Sequence, residues 1–252
     1  MVRDFGELEH LQVSKKGVAD FVSQADIAAE QTIRAELSHA RPDWGFIMEE
    51  GGRVEGSSDD SPAWIIDPID GTNNYIHGIP HFAISIAAID KPPAHGGKII
   101  AGGIFDPIRQ EFFFAEKGGG AFLNNKRIRV SARKSTFDAL FATGIPHAGK
   151  GDAKSRETYF AEMQRILAQS AGIRRFGAAS LDLAWVAAGR FDGFWEHGLH
   201  IWDIAAGVLI VAEAGGLVSD HNARTGQAML ESGNIIAANA SMHASLLKLL
   251  HA

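Results

Sequence analysis

Carboxylates suited to a divalent-metal site occur in four short segments of this chain. In the densest, an apolar run beginning at residue 63 ends in two acids three residues apart, Asp67 and Asp70, followed at once by Gly71 and Thr72. Hard cations such as Mg²⁺ prefer oxygen ligands and usually complete their shell with water and substrate phosphate. This segment offers such ligands, together with backbone N–H groups that can face a phosphate. The other acids of interest are Glu49, Glu50, Glu196 and Asp203.

The composition narrows the class of protein. The chain has no cysteine, which excludes disulfides and Cys-ligated zinc or iron–sulfur sites. Its net charge of −6 argues against bulk binding to nucleic acid or anionic membranes. No apolar run approaches the length of a membrane span, and the first residues lack the apolar stretch of a signal peptide. We therefore expect a cytoplasmic protein without a nucleic-acid or membrane partner.

The elements that must position the acids fall into two predicted halves. Residues 1–134 predict an α+β half, with a helix that ends before Pro42 and a mostly antiparallel sheet. Residues 135–252 alternate strands with helices and predict an α/β half, packed on the first with the active site between them. Strands are predicted at 45–48, 63–66, 83–89, 98–105, 110–115, 192–195, 217–219 and 234–238, helices at 154–169, 180–188, 203–214 and 242–250, and a polar loop at 51–62.

Taken alone, the two acids at 67 and 70 are a weak signal, since Asp often starts turns. Their context is more specific. The string Trp64–Tyr75 closely resembles the first signature of the inositol monophosphatase family, and Trp202–Gly216 resembles the second. Met48–Gly51 is similar to the acidic pair of that family. The segments follow in the family's order and spacing over essentially the whole chain, which is therefore identified as a member.

The resemblance implies the layered α-β-α-β-α sandwich of the sugar-phosphatase type, and two to three Mg²⁺ ions. By resemblance, Glu49, Asp67 and the backbone carbonyl of Ile69 bind the first ion. Asp67, Asp70 and Asp203 bind the second, and a weaker third ion rests on Glu49 and waters. Two cations about 3.5–4 Å apart can hold the attacking and leaving oxygens of an in-line displacement. Because like charges raise each other's pKa, we expect the metal-free site to be partly protonated or disordered.

The resemblance also assigns catalytic roles beside the metal ligand Glu49. Thr72 orients the attacking water and relays its proton to Asp26, Lys16 lies near the nucleophile, and the amides of Gly71 and Thr72 face the phosphate. The residues alone leave other interpretations open. Thr72 can simply cap the short helix, Asp26 can be a favourable acid in a first helical turn, and Lys16 can be a solvated charge.

Substrate contacts are assigned to two facing segments. Glu196 accepts a hydrogen bond from a substrate hydroxyl, and the small residues up to Ala179 form the opposite wall, while Asp70, Gly71 and Thr72 surround the phosphate. A Glu in that wall favours a polyol phosphate. The resemblance thus implies an inositol-1-monophosphatase that hydrolyses inositol monophosphate by in-line attack of a metal-activated water. It also implies lithium sensitivity, no phosphoenzyme and a homodimer.

Three enzymatic alternatives share the scaffold and its metal ligands: fructose-1,6-bisphosphatase, 3′-phosphoadenosine nucleotide phosphatase and histidinol-phosphate phosphatase. They would differ only in the walls around Glu196 and Ala179, and a fold does not fix a substrate. A regulatory role is a fourth alternative, because a bacterial member of the family partners the transcription machinery. The candidate contact surface for this role is a basic cluster formed by Lys126, Arg127, Arg129, Arg133 and Lys134. We interpret this cluster as a solvated surface, since no aromatic residues lie between its members.

Two other motifs are weaker. His197 and His200 have His-x-x-His spacing, but zinc is disfavoured because the sequence indicates no third nitrogen or sulfur ligand. Gly144–Lys150 fits Gly-x4-Gly-Lys but is followed by Gly151, so the hydroxyl that a P-loop offers to Mg²⁺ is missing. Family members usually begin with a full amphipathic helix before the segment matching Phe5–Lys16, and we expect that helix to be missing or truncated.

Overall fold

A computed structural model describes Phe5, the backbone of Val13–Lys15 and Phe21–Ser23, and residues 24–146 and 152–251. Residues 16–20, which include Lys16, lie outside the described residues. So do residues 147–151, which belong to the glycine-rich motif. Among the described residues, no helix has both the length and the apolarity that a membrane span requires.

The strands are numbered in chain order. They are β1 (Val13–Lys15), β2 (Phe21–Ser23), β3 (Gly45–Met48), β4 (Gly52–Val54), β5 (Ala63–Asp70), β6 (Ala83–Ile89), β7 (Ile99–Asp106), β8 (Glu111–Glu116), β9 (Gly120–Leu123), β10 (Lys126–Arg127), β11 (Leu140–Thr143), β12 (Gly172–Arg174), β13 (Gly193–Glu196), β14 (Leu217–Ser219) and β15 (Ile235–Ala238).

The helices are α1 (Gln24–Ala40), α2 (Thr72–Ile76), α3 (Ala153–Leu167), α4 (Ala179–Ala187), α5 (Ile201–Glu213), α6 (Gln227–Ser232) and α7 (Ala240–Leu250). Short 3₁₀ turns lie at Pro93–His95 and Thr136–Asp138.

Eight strands form a large sheet in the order β10-β9-β8-β7-β6-β5-β3-β4, and β1 pairs with β2 separately. Only β3 and β5 run parallel within the large sheet; its other neighbours are antiparallel. The prediction of a polar loop at 51–62 is wrong for β4, which pairs with β3 at the sheet edge. Three residues that begin with glycine and remain largely exposed carry too little hydrophobic alternation to be recognised as a strand.

Five strands form a second sheet in the order β12-β11-β13-β15-β14. The pairs of β11 with β12 and β13 are parallel, whereas β15 runs antiparallel to β13 and β14. The sequence did not indicate β11 and β12, since runs of three or four residues do not establish a period. The strand predicted at 192–195 lies one residue later and ends at Glu196.

The helices and sheets are layered. Helices α4 and α5 pack on each other between the two sheets, with α5 against β6 and β7 and α4 against β13 and β15. On the outer faces, α1 lies against β5, and α7 lies against β15 with α3 packed beside it. The predicted α-β-α-β-α sandwich is confirmed. The division of the chain at residue 134 stays a prediction.

Helix α5 approaches the large sheet very closely at one glycine. A Cβ added to Gly102 in β7 would lie 2.9 Å from both Cα and the carbonyl oxygen of Ala206. Ala206 lies one turn after Asp203 on the same helix. Because Gly102 has no side chain, α5 can lie close to the large sheet. This separation determines where Asp203 is positioned.

We predict that Gly102→Ala lowers the free energy of unfolding by about 1–3 kcal/mol, because the new methyl group meets helix backbone that cannot rotate away. The matched control is Gly103→Ala on the opposite face of the same strand. There the methyl group meets only the half-exposed ring of Phe112, at 3.0 Å, and the ring can turn aside. Urea unfolding of both variants measures the difference, and equal losses would contradict the assigned close approach.

Candidate active site

An irregularity in β5 places two acids together. The register with β6 pairs Asp67 with Ser85 and Asp70 with Ala83, so three steps along β5 oppose two steps along β6. In a regular strand, residues three apart point to opposite faces. The extra residue of this bulge brings both carboxylates to one face, and Pro68, which lacks an N–H for the ladder, is tolerated there.

Asp67 lies at the centre of the acidic cluster, which consists of Glu49, Asp67, Asp70 and Asp203. Its side chain is 2% exposed, and its Oδ1 atom has no hydrogen-bond partner among the described residues. Burial raises the pKa of Asp67 well above its ordinary range, and the charges of Glu49, Asp70 and Asp203 raise it further. Four acids from three separate segments therefore interact here.

Asp70 accepts hydrogen bonds from the first residues of α4, the helix that packs between the two sheets. The Ser180 amide at the start of α4 donates to Asp70 Oδ2 at 2.6 Å, and the Ser180 hydroxyl donates to the same atom at 2.5 Å. Burial, followed by repulsion from Asp203, raises the pKa of Asp70 to about 7, while hydrogen bonds from Ser180 and the Ala179 backbone oppose the shift. Ala179, predicted as a substrate wall, thus also contacts a candidate metal ligand.

The remaining acids are fixed by the ends of their elements. Glu49 follows β3 directly, and its amide donates to the Ile66 carbonyl at 3.2 Å, which aligns it beside Asp67. Asp203 is the third residue of α5, where its Oδ2 accepts a hydrogen bond from the His200 amide at 2.7 Å. A carboxylate is favoured at that position because it neutralises the positive end of the helix.

A second set of polar groups lies around Thr72. Its hydroxyl donates to the Ile69 carbonyl at 3.0 Å and reaches Asp26 Oδ1 at 3.4 Å. The N-cap of α2 is Gly71, with φ of 97°, and no side chain caps this helix. The interpretation of Thr72 as a simple helix cap is therefore wrong. Asp26 is 1% exposed in the first turn of α1 and faces Thr72 from another layer.

The backbone at Gly71 is confined by the neighbouring layer. A Cβ there would lie 3.1 Å from the His81 carbonyl and 3.3 Å from Ala178 Cβ. Asn74 joins the same parts of the chain, since its Nδ2 donates to the carbonyls of His81 and Phe176 at 2.8 Å each. The loop after Asp70 is thus tied to the small-residue segment that precedes α4.

Glu30 supports the loop after β3. It is 5% exposed on α1 and accepts the Glu50 amide at 2.9 Å. Glu50, the second member of the acidic pair, is thereby positioned by its backbone, whereas the carboxylate of Glu49 interacts with Asp67.

Glu196 ends β13 and lines a cavity of about 450 Å³ together with Tyr159 and Gly144. A Cβ at Gly144 would overlap the Glu196 carboxylate in its present position, so a larger residue there would displace that side chain. The cavity is walled by polar and apolar groups of α3 and the adjoining loops. The first residue of the rejected P-loop motif therefore serves to make room for Glu196.

Sequence reasoning missed Asp182 and Ser180. Asp182 is 1% exposed on α4, and its Oδ1 atom has no hydrogen-bond partner among the described residues. Burial, then the charges of Glu196 and Asp70, raise the pKa of Asp182, and Arg175 opposes them. It links the acidic cluster electrostatically to Glu196. The Ser-Leu-Asp run on an otherwise apolar helix was the available signal.

The cluster fits divalent cations. Buried carboxylates that repel one another are unfavourable unless a positive charge is bound between them. The unsatisfied Asp67 oxygen and the all-oxygen donor set are suited to Mg²⁺. The Ile69 carbonyl lies at the same bend, although it already accepts the Thr72 hydroxyl.

Comparisons with known proteins identify the family of the chain. The family model described as Inositol monophosphatase family matches residues 3–252. Inositol-1-monophosphatase of Mesorhizobium japonicum is 51% identical over 246 residues, covering 98% of this chain and 88% of the relative. Nus factor SuhB of Pseudomonas aeruginosa is 48% identical, covering 97% of this chain and 88% of the relative.

A solved structure shows a similar fold. The crystal structure of extragenic suppressor protein SuhB from Bartonella henselae matches with a TM-score of 0.91 at 51% identity, over 99% of this chain and 92% of that chain. Family match, sequence identity and fold thus agree over nearly the full length. The chain belongs to the inositol monophosphatase family, a family of metal-dependent phosphatases.

Proposed function

We propose that this protein is a Mg²⁺-dependent phosphomonoesterase that hydrolyses inositol monophosphate to inositol and phosphate. The observation that carries the proposal is the buried acidic cluster centred on Asp67, whose unsatisfied oxygen and mutual repulsion call for cations. The relative from Mesorhizobium japonicum that bears the name inositol-1-monophosphatase supports this choice of substrate.

The metal ligands would be the side chains of Glu49, Asp67, Asp70 and Asp203, with the Ile69 carbonyl. When bound, divalent cations neutralise phosphate charge and make water nucleophilic near neutral pH. The protein's part is positioning, which carries most of phosphoryl transfer. The β5 bulge brings the carboxylates of Asp67 and Asp70 to the same face of the strand, and Ser180 fixes the orientation of Asp70.

Thr72 and Asp26 provide a path for a proton. The Thr72 hydroxyl lies within 3.4 Å of Asp26 Oδ1, so it can pass a proton to that buried carboxylate while accepting one from an attacking water. The amides of Gly71 and Thr72 at the start of α2 are proposed to face the phosphate. Lys16 is proposed near the nucleophile, as the family resemblance implies.

Glu196 is proposed to accept a hydrogen bond from a substrate hydroxyl. Its carboxylate lines the cavity described above, which is large enough for a small polyol. Inhibition by lithium and a homodimeric assembly are further expectations from the family.

The test of this function is a kinetic panel with Mg²⁺. We expect kcat/KM to be higher for inositol 1-phosphate than for fructose 1,6-bisphosphate, 3′-phosphoadenosine 5′-phosphate and histidinol phosphate. Glu196→Gln should raise KM for inositol 1-phosphate, because an amide is a weaker acceptor than a carboxylate. The exposed Glu231 on α6 offers the matched control, Glu231→Gln. A higher kcat/KM for one of the other esters would replace inositol phosphate as the substrate.

A second candidate function is a role in transcription, favoured by the relative named Nus factor SuhB. The cluster Lys126–Lys134 is its candidate contact surface, since its five basic residues are exposed. Arg133 pairs there with Asp138 at 3.1 Å and Asp192 at 3.2 Å. Pull-down with RNA polymerase and RNA tests this role, and absence of binding at physiological salt would end it.

We predict that Asp70→Asn abolishes turnover without loss of folding. In metal-free buffer the variant should be at least as stable as the parent protein, because repulsion from Asp203 is removed. Asp106→Asn is the matched control at another buried acid, which accepts two amides and the Arg109 guanidinium. It should lose about 1.5–3 kcal/mol with its charge-assisted hydrogen bonds. Thermal unfolding and turnover are measured in parallel, and near-normal activity of Asp70→Asn would contradict the site.

We also predict a pH dependence that Mg²⁺ removes. The folded-state pKa of Asp70 is raised from 3.8 to about 7, so between these values the folded protein binds more protons than the unfolded chain. The contribution of Asp70 to the stability of the metal-free protein should therefore fall as pH rises through this window and level off above it. Thermal unfolding in EDTA measures the slope. Saturating Mg²⁺ and Asp70→Asn should each make it shallower, and an unchanged slope in both would refute the electrostatic account.

A further inference from the structure

A second group of metal-ligating side chains lies on the outer side of the five-stranded sheet. It consists of Glu162 on α3, His197 directly after β13 and His221 after β14, and one ligand atom of each lies within 4.8 Å of the others. The group shares no residue with the acidic cluster. His197 directly follows Glu196, the last residue of β13, and contacts Glu162 of α3.

The three side chains are already in contact. Nε2 of His197 lies 2.8 Å from Oε2 of Glu162, which is 3% exposed. The rings of His197 and His221 meet edge to face, with centroids 4.0 Å apart. A short chain of contacts thus joins a buried carboxylate to two imidazoles that come from different elements.

The ring of His221 is held with one nitrogen lacking a hydrogen-bond partner among the described residues. That nitrogen is the buried Nε2. The ring also hydrogen-bonds the Ile235 backbone, and because Nε2 has no partner this contact uses Nδ1. Ligating histidines commonly donate their second N–H to a backbone carbonyl in this way, which leaves a lone pair on the ligating nitrogen.

An ordinary ion pair between His197 and Glu162 does not account for the whole arrangement. It leaves the buried Nε2 of His221 without a hydrogen-bond partner among the described residues, which is unfavourable. A cation between the three groups would satisfy this nitrogen and the carboxylate together.

We propose that Glu162, His197 and His221 form a Zn²⁺ site separate from the acidic cluster, with a fourth position for water. Two imidazoles and one carboxylate are a common zinc donor set, whereas Mg²⁺ prefers oxygen ligands alone. Tetrahedral coordination with bonds of 2.0–2.1 Å places ligand atoms about 3.4 Å apart. The most distant pair must therefore close by at most about 1.4 Å. The proton between His197 and Glu162 leaves to solvent when the metal binds.

The site joins three parts of the C-terminal region. A bound ion would fix α3, the end of β13 and the segment after β14 to one another. His197 follows Glu196 in the chain and also lines the 450 Å³ cavity. The ion would therefore hold the backbone that carries the proposed substrate contact, without being part of the Mg²⁺ cluster.

The test is calorimetric titration of the full-length protein with Zn²⁺ in saturating Mg²⁺, which occupies the acidic cluster. We expect one Zn²⁺ per chain, and a tenfold or greater loss of affinity in His221→Gln and in Glu162→Gln. The matched control is His95→Gln, since His95 likewise pairs with a carboxylate, Asp60, at 2.9 Å. It should bind Zn²⁺ like the parent protein. Thermal unfolding in EDTA checks that each variant folds.

A spectroscopic readout separates this site from the acidic cluster. Co²⁺ bound by two imidazoles and a carboxylate in tetrahedral geometry gives an intense visible absorption, whereas octahedral oxygen coordination gives a weak one. We expect the intense bands in the Mg²⁺-saturated parent protein and their loss in His221→Gln. Only weak bands in the parent protein, or Zn²⁺ affinity unchanged in both ligand variants, would overturn the proposal.

Discussion

Repulsion between buried carboxylates is the constraint on which the rest of the structure depends. Asp67 is surrounded by Glu49, Asp70 and Asp203, and burial makes each negative charge more costly. These acids come from the end of β3, the bulge of β5 and the first turn of α5. The fold must therefore hold together groups that would separate if the layers were free to move.

Neutral packing opposes that repulsion. Because Gly102 has no side chain, it approaches Ala206 closely, and α5 can lie against the large sheet. Ser180 holds Asp70 across the layer boundary, and Asn74 ties the loop after Asp70 to the segment before α4. Such contacts, made by uncharged groups, leave the acids in place and available for cations. The same rigidity positions Thr72 beside Asp26.

The sequence predicts the parts of the site that are local. Asp67, Asp70 and Thr72 stand in one continuous motif, and strands with clear hydrophobic runs were found within a few residues. The bulge is not predictable in this way, because it is a property of the register between β5 and β6. Ser180 meets Asp70 across 110 residues, and neither alternation nor helical spacing indicates that contact. For the same reason, His197 is paired with His200 by sequence spacing alone. Its partners in space are Glu162 and His221, and His200 stacks on Trp202 instead.

The central claim is that the Asp67 cluster holds divalent cations. Anomalous diffraction from crystals grown with Mn²⁺ and phosphate tests it most directly, because Mn²⁺ replaces Mg²⁺ at oxygen sites and can be located independently of the protein. Our account predicts at least two anomalous peaks that share Asp67 as a ligand, one also contacting Glu49 and the other Asp70 and Asp203. Peaks confined to other acids, with Asp67 outside coordination distance, would contradict it.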